Sequence, residues 1–219
     1  MKNTKYVAAA VCGLAVLSGG SFYAGRLSMQ PSGAPVPAVA KAEVNLAEDA
    51  LMALMKNDQA AFERFIKAGG GFVGIHAAAD TEYDWPWYTK MVGHMFHIHP
   101  LVQTATIKVE DPNFPGMDRF PKRFLATEEW YEYDAARSKL HYLLSVDETT
   151  YKPEANWGTK SGKGMGKFHP IAWYQEYDGG RAFYTGLGHL PATYSDASFL
   201  HHIYGGIYWA ATGNGFTAQ

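Results

Sequence analysis

The chain has 219 residues, 47% of them hydrophobic and 15% aromatic, which is enough to bury one good core as a single domain. Its 19 Lys and Arg against 21 Asp and Glu leave a net charge of -2 with the cations scattered, which argues against a nucleic-acid partner. Cys12 is the only cysteine, so the globular part has no disulfide, no cysteine-based zinc cluster and no thiol nucleophile, and histidines and carboxylates must carry any chemistry.

Lys2 and Lys5 precede an uncharged run from Tyr6 to Gly25 that ends at Arg26. As a helix this run spans roughly 30 Å, one bilayer core, and the positive-inside rule leaves its start in the cytoplasm. Residues 1–26 are therefore expected to form a transmembrane anchor in a bacterial inner membrane, with the rest of the chain in the periplasm. A cleaved signal peptide shares this charge layout, but the small-residue site Ala38-Val39-Ala40 lies far beyond the apolar run, which favours retention. Residues 27–44, with Pro31, Pro35 and Pro37, read as an extended linker, and residues 45–219 as the folded domain.

Within that domain Leu46, Ala50, Leu51, Leu54, Met55, Ala61, Phe62, Phe65 and Ile66 recur at helical spacing, with a break expected near Asn57-Asp58 and a stop at Gly69-Gly70-Gly71. Phe72 to Ile75 is a short apolar run of the buried-strand type. Strands are expected over Val102 to Val109, Arg123 to Thr127 and Leu140 to Val146, and a hairpin joins Ile171 to Tyr177 with Arg181 to Thr185 through Asp178-Gly179-Gly180. A final helix is expected from Ser198 to Thr212, with Phe199, Ile203, Ile207 and Ala210 inward and Trp209 at the margin of that face. Strands mixed with helices indicate an α/β layered domain.

His76 stands where the strand Phe72 to Ile75 runs into the small residues Ala77-Ala78-Ala79 and Asp80, at the strand end where open α/β sheets bind ligands. The stretch Gly69 to Pro100, through His76, Asp80, Tyr83-Asp84-Trp85-Pro86-Trp87-Tyr88, Gly93 and His99-Pro100, resembles the ThuA-like (trehalose utilisation) family. Glu128-Glu129-Trp130-Tyr131, Asp147-Glu148-Thr149, His169 to Trp173, Gly186-Leu187-Gly188-His189 and Gly205 to Ala210 extend the resemblance, which covers Gln59 to Gly213. It implies a flavodoxin-like layered sheet of the class I glutamine amidotransferase kind, and an association with the processing or uptake of disaccharides and keto-sugars.

By the same resemblance His76 takes the place of the amidotransferase cysteine and His189 that of the triad histidine. Glutamine hydrolysis needs a strong covalent nucleophile, which an imidazole does not supply here, so amidotransferase activity is excluded. His76 and His189, with Asp80, Glu128 or Glu129 near, can serve as general acid and base. Alternatively His76, His99, His169 and His189 can ligate a divalent metal ion. Tyr83, Asp84, Trp85, Trp87 and Tyr88 suit a saccharide pocket, rings stacking on sugar faces and carboxylates binding hydroxyls, or equally a packed turn around Pro86. His94 and His97 read as structural histidines sharing a helix face from which His99 turns away, His201 and His202 as surface or packing residues, and Lys160 to Lys167 as a flexible loop that only mimics a phosphate loop.

Two departures stand out against the family. The anchor, linker and helix occupy the place of the first strands, which leaves the sheet incomplete at its N-terminal part with an exposed edge. After His189 the chain reads Leu190-Pro191-Ala192-Thr193, which lacks the acidic residue that would orient that histidine. Two readings follow: an anchored, periplasm-facing carbohydrate-binding or carbohydrate-processing domain, or a non-catalytic accessory subunit of a bacterial membrane complex.

Overall fold

The computed structural model of the chain describes residues 56–216. The anchor segment, the linker and the start of the first helix lie outside the described residues, and no described helix is long and apolar enough to cross a membrane. Helix α1 covers residues 56–67 without a break at Asn57-Asp58. A turn through Gly69, at φ 95°, then leads into strand β1, Gly71–Ile75.

The further elements are α2 (Pro86–Val92), β2 (Phe96–Ile98), β3 (Gln103–Val109), β4 (Arg123–Glu128), β5 (Glu132–Tyr133), β6 (His141–Asp147), β7 (Ala155–Asn156), β8 (Ser161–Gly162), β9 (His169–Tyr177), β10 (Gly180–Thr185) and α3 (Ala197–Thr212). Six strands form one sheet in the order β1-β10-β9-β6-β3-β4, in which β1 runs parallel to β10 and every other neighbour is antiparallel. The anticipated strands all occur within a residue or two of their expected bounds. The β9–β10 turn uses Asp178 and Gly179 at φ 48° and 92°, the pair of left-handed residues that a two-residue hairpin with native twist demands.

Two layers of side chains cover the sheet. On one face α3 packs Phe199, Trp209 and Ala210 against Phe183, Ile171 and Leu144. On the other, Ile66 of α1 and Met91 and Val92 of α2 meet Trp173, Ala182 and Tyr184. Successive residues Ala182, Phe183 and Tyr184 of β10 thus go to opposite cores, as the period of two requires in a strand buried on both sides. The α/β layered architecture is therefore present, and within the described residues β1 is an edge strand.

The inner face of α3 differs from the expected one: Ile207 is 49% exposed, whereas His202, Gly205, Gly206 and Trp209 are buried. Gly205 and Gly206 cause the rotation. A β-carbon on Gly205 would overlap the Pro115 carbonyl and one on Gly206 the Phe183 ring, so these glycines let a loop and an aromatic ring reach the helix backbone. Asp196 caps the N-terminus by accepting from the Ser198 and Phe199 amides at 2.7 and 2.9 Å, and Gly213 closes the other end in the left-handed conformation at φ 73°.

Candidate functional site

Strand directions fix where the site can be. Alternating pairings make β1, β10 and β4 point the same way, so His76, His189 and Glu129 all follow strand ends at one end of the sheet. β1 and β4 are opposite edges, yet Glu128 reaches the loop after β10, so the sheet curls to bring its two edges to one place.

His76 opens a short 3-10 turn, His76–Ala79, at φ 44°, a left-handed conformation that a non-glycine residue adopts only where its surroundings hold it. Its carbonyl accepts from Tyr184 Oη at 2.8 Å, and its Nδ1 donates to the Gly186 carbonyl at 2.9 Å. The turn needs small residues: a β-carbon on Gly74 would lie 3.1 Å from that of Ala78, and Ala79 is fully buried.

Glu128 and Glu129 point to opposite sides, as consecutive residues leaving a strand do. Glu128, 1% exposed, accepts from the Gly188 amide at 3.0 Å, the His189 amide at 3.2 Å and Thr193 Oγ1 at 2.5 Å, so it braces the loop that carries His189. Glu129 instead faces three imidazoles: His76 Nε2 at 3.1 Å, His99 Nε2 at 3.2 Å and His189 Nδ1 at 3.3 Å. A carboxylate thus does face His189, supplied by Glu129 rather than from after the histidine. Burial acts to raise the Glu129 pKa, but the His76 hydrogen bond and the His99, His189 and His76 charges outweigh it and hold the carboxyl below its ordinary value. His76 Nε2, His189 Nδ1 and a Glu129 oxygen lie within 4.8 Å of one another, close enough to hold one metal ion.

The β2–β5 pairing places His99 beside Tyr131, whose ring lies 4.1 Å from His76 and 5.9 Å from His99 between centroids. Burial, then Glu129 and Asp80, push the Tyr131 phenol well above its usual range, so it stays protonated, and it has no hydrogen-bond partner among the described residues. It is a neutral donor beside the cluster. Tyr131→Phe is expected to leave folding stability within roughly 0.5 kcal/mol, measured by urea unfolding, and to weaken a bound ligand about tenfold, the worth of one hydrogen bond. The β7–β8 hairpin adds Trp157, half exposed, with its ring 4.7 Å from that of His99. Trp157 carries no local signal in the sequence.

Other candidates sit elsewhere. Asp80 accepts from Tyr83 Oη at 2.6 Å, and neither it nor exposed Asp84 bonds a histidine of the cluster. Trp85, Trp87 and Tyr88 pack on Phe62 and Phe72, with Trp85 donating to Glu63 at 3.2 Å, Trp87 to Asp178 at 2.7 Å and Tyr88 to the Ala78 carbonyl at 2.7 Å. Those three rings fasten α1 and α2 to the sheet, so the packed turn is what the structure presents there, while Tyr83, 45% exposed, donates its hydroxyl to the Phe96 carbonyl at 3.1 Å. His169 is 1% exposed with both nitrogens engaged, Nδ1 on Glu148 at 2.7 Å and Nε2 donating to the Tyr131 carbonyl at 2.7 Å, which leaves it behind Tyr131 rather than in the cluster.

His97 lies in strand β2, not on a helix, with Nε2 donating to the Ser161 carbonyl; buried His94 spans the Asp134 carbonyl and Tyr142 Oη. The glycine-rich loop is held rather than free. Glu132 accepts from the Gly164 amide and Glu148 from the Met165 and Gly166 amides, so carboxylates of the chain itself occupy the backbone cradle that suggested phosphate.

The family model described as ThuA, trehalose utilisation, matches residues 43–210. The chain belongs to the ThuA family. Among solved structures, a putative ThuA-like protein from Bacteroides uniformis ATCC 8492 is 26% identical over 68% of this chain and 62% of that one, at a TM-score of 0.56. Another putative ThuA-like protein, from Parabacteroides merdae ATCC 43184, is 21% identical over 74% of this chain and 67% of that one, at a TM-score of 0.57, and shows the fold alone. The ThuA match here thus spans 62% of the length of the first of these relatives. No curated protein matches the chain.

Proposed function

We propose that this ThuA domain binds and processes a disaccharide or keto-sugar at the Glu129 cluster. The observation that carries the reading is the convergence of His76, His99 and His189 on one carboxylate, open to solvent at His189, with the half-exposed Trp157 ring beside it. Imidazoles and a carboxylate suit sugar hydroxyls and carbonyls, while an exposed indole offers a face to the apolar side of a pyranose ring. Membership of a trehalose-utilisation family supports the substrate class. In this reading the sheet is the C-terminal part of a flavodoxin-like layer, and the apolar run Tyr6 to Gly25 anchors the domain on the periplasmic side of an inner membrane.

Titrating the protein with trehalose, other disaccharides and their keto derivatives, followed by indole fluorescence and calorimetry, tests it. Binding by one of them, weakened about tenfold in Trp157→Ala, is expected. No heat and no fluorescence change with any sugar would remove the carbohydrate reading.

A second reading, a non-catalytic subunit of a membrane complex, is favoured by the exposed stripe Leu200, Tyr204 and Ile207 along α3 and by the β1 edge. Native size in mild detergent separates the two: a large stoichiometric assembly supports the accessory subunit, and a lone sugar-binding chain the first reading.

A further inference from the structure

We infer that His76 Nε2, His189 Nδ1 and Glu129 form a three-ligand divalent metal centre, with His99 as the positioning residue that holds the second Glu129 oxygen. The proposal concerns the same residues as the carbohydrate reading, and its test needs no sugar. Neighbouring ligands of a tetrahedral ion bound at about 2.1 Å stand roughly 3.4 Å apart. The His76 to Glu129 and His189 to Glu129 separations, 3.1 and 3.3 Å to the same oxygen, are close to that edge length, and all three donor atoms fall within 4.8 Å.

Proton positions point the same way. A carbonyl oxygen only accepts, so the bond from His76 Nδ1 to Gly186 at 2.9 Å requires a proton on that nitrogen. In the neutral tautomer His76 Nε2 then presents its lone pair to the Glu129 oxygen that His189 Nδ1 also faces, and two lone pairs at 3.1 Å repel unless a cation lies between them. A single dication between His76 Nε2, His189 Nδ1 and the Glu129 oxygen they share satisfies those three lone pairs. Carbonyl-anchored Nδ1–H groups behind the ligating nitrogen, as at His76, are the usual outer support of a metal-bound histidine.

Two further features suit such a centre. Glu128 fixes the loop of His189 through two backbone amides and Thr193, so that ligand is held from behind. The His189 side chain is 38% exposed, which leaves a fourth position facing solvent, the arrangement of catalytic rather than structural ions. An ion there would polarise a carbonyl or hydroxyl oxygen of a substrate.

The test uses the full chain purified in mild detergent, free of any histidine tag and stripped with chelator. Zinc and cobalt are titrated by calorimetry, bound metal is counted by mass spectrometry, and the visible spectrum of the cobalt form is recorded. The expected result is about one ion per chain with a low-symmetry cobalt band, binding weakened at least about a hundredfold in Glu129→Gln and in His189→Ala, about tenfold in His99→Gln, and unchanged in His97→Gln. Circular dichroism confirms that each variant folds. Absence of stoichiometric binding, or equal binding by wild type and Glu129→Gln, would overturn the proposal. Sugar binding by the metal-free protein would leave the carbohydrate reading intact while the metal centre failed, so the two failures are distinguishable.

Discussion

Acidification from pH 7 to pH 5 is expected to cost the domain about 2 kcal/mol through His202 alone, and the His202→Leu variant is expected to lose that part of its pH dependence. His202 is completely buried on α3, between the rings of Phe120 and Phe183, and neither of its nitrogens has a hydrogen-bond partner among the described residues. Burial first, then the neighbouring His201, pushes its pKa down from 6.5 to about 3. Between those values the unfolded chain binds a proton that the folded chain refuses. Stability therefore falls as pH drops below 6.5, by about 1.4 kcal/mol per unit, and levels off near pH 3. Leucine also removes two orphaned polar atoms, so the variant should be more stable by roughly 1–3 kcal/mol at neutral pH. Urea unfolding of both proteins across pH 4 to 8 checks this, the difference between them cancelling the shared carboxylate titrations. A pH-independent difference would contradict it.

The Gly205→Ala substitution is expected to destabilise the domain by roughly 1–3 kcal/mol net, although alanine is the better helix former by about 1 kcal/mol. A β-carbon at that position would stand 2.6 Å from the Gly116 nitrogen and closer still to the Pro115 carbonyl, and a backbone cannot swing away as a side chain can. The 114–117 loop would have to lift, withdrawing Phe114 and Met117 from the core they fill. Chemical denaturation measures the loss, and a gain in stability would show that the loop yields freely.

These two sites also show where the sequence stops being readable. Alternation and apolar runs mark strands locally, so β1, β3, β4, β6 and the β9–β10 hairpin were legible. The inner face of α3 was not, because glycines carry no hydrophobic signal and their role depends on a loop some ninety residues earlier in the chain. His76, His189 and Glu129 were identifiable as candidates from the resemblance to the ThuA family. Their meeting at one point depends on strand direction and sheet curl, which no local spacing encodes.

The aromatic run from Tyr83 to Tyr88 has a composition that suits packing and binding equally, and only the position of α1 shows that Trp85, Trp87 and Tyr88 are packed. Trp157 gives no signal in the sequence because its place beside His99 comes from the small β7–β8 hairpin. Lys160 to Lys167 reads as a free loop because Glu132 and Glu148, which hold it, are distant in sequence.

The convergence of three histidines on Glu129 is tested most directly by long-range proton–nitrogen NMR of the imidazoles in the wild type and in Glu129→Gln. The structure predicts that the ring-nitrogen resonances of His76, His99 and His189 all move, while those of His169, held by Glu148, and His94, held by Asp134 and Tyr142, stay in place. Resonances of His76, His99 and His189 that do not respond to the loss of the Glu129 charge would contradict it.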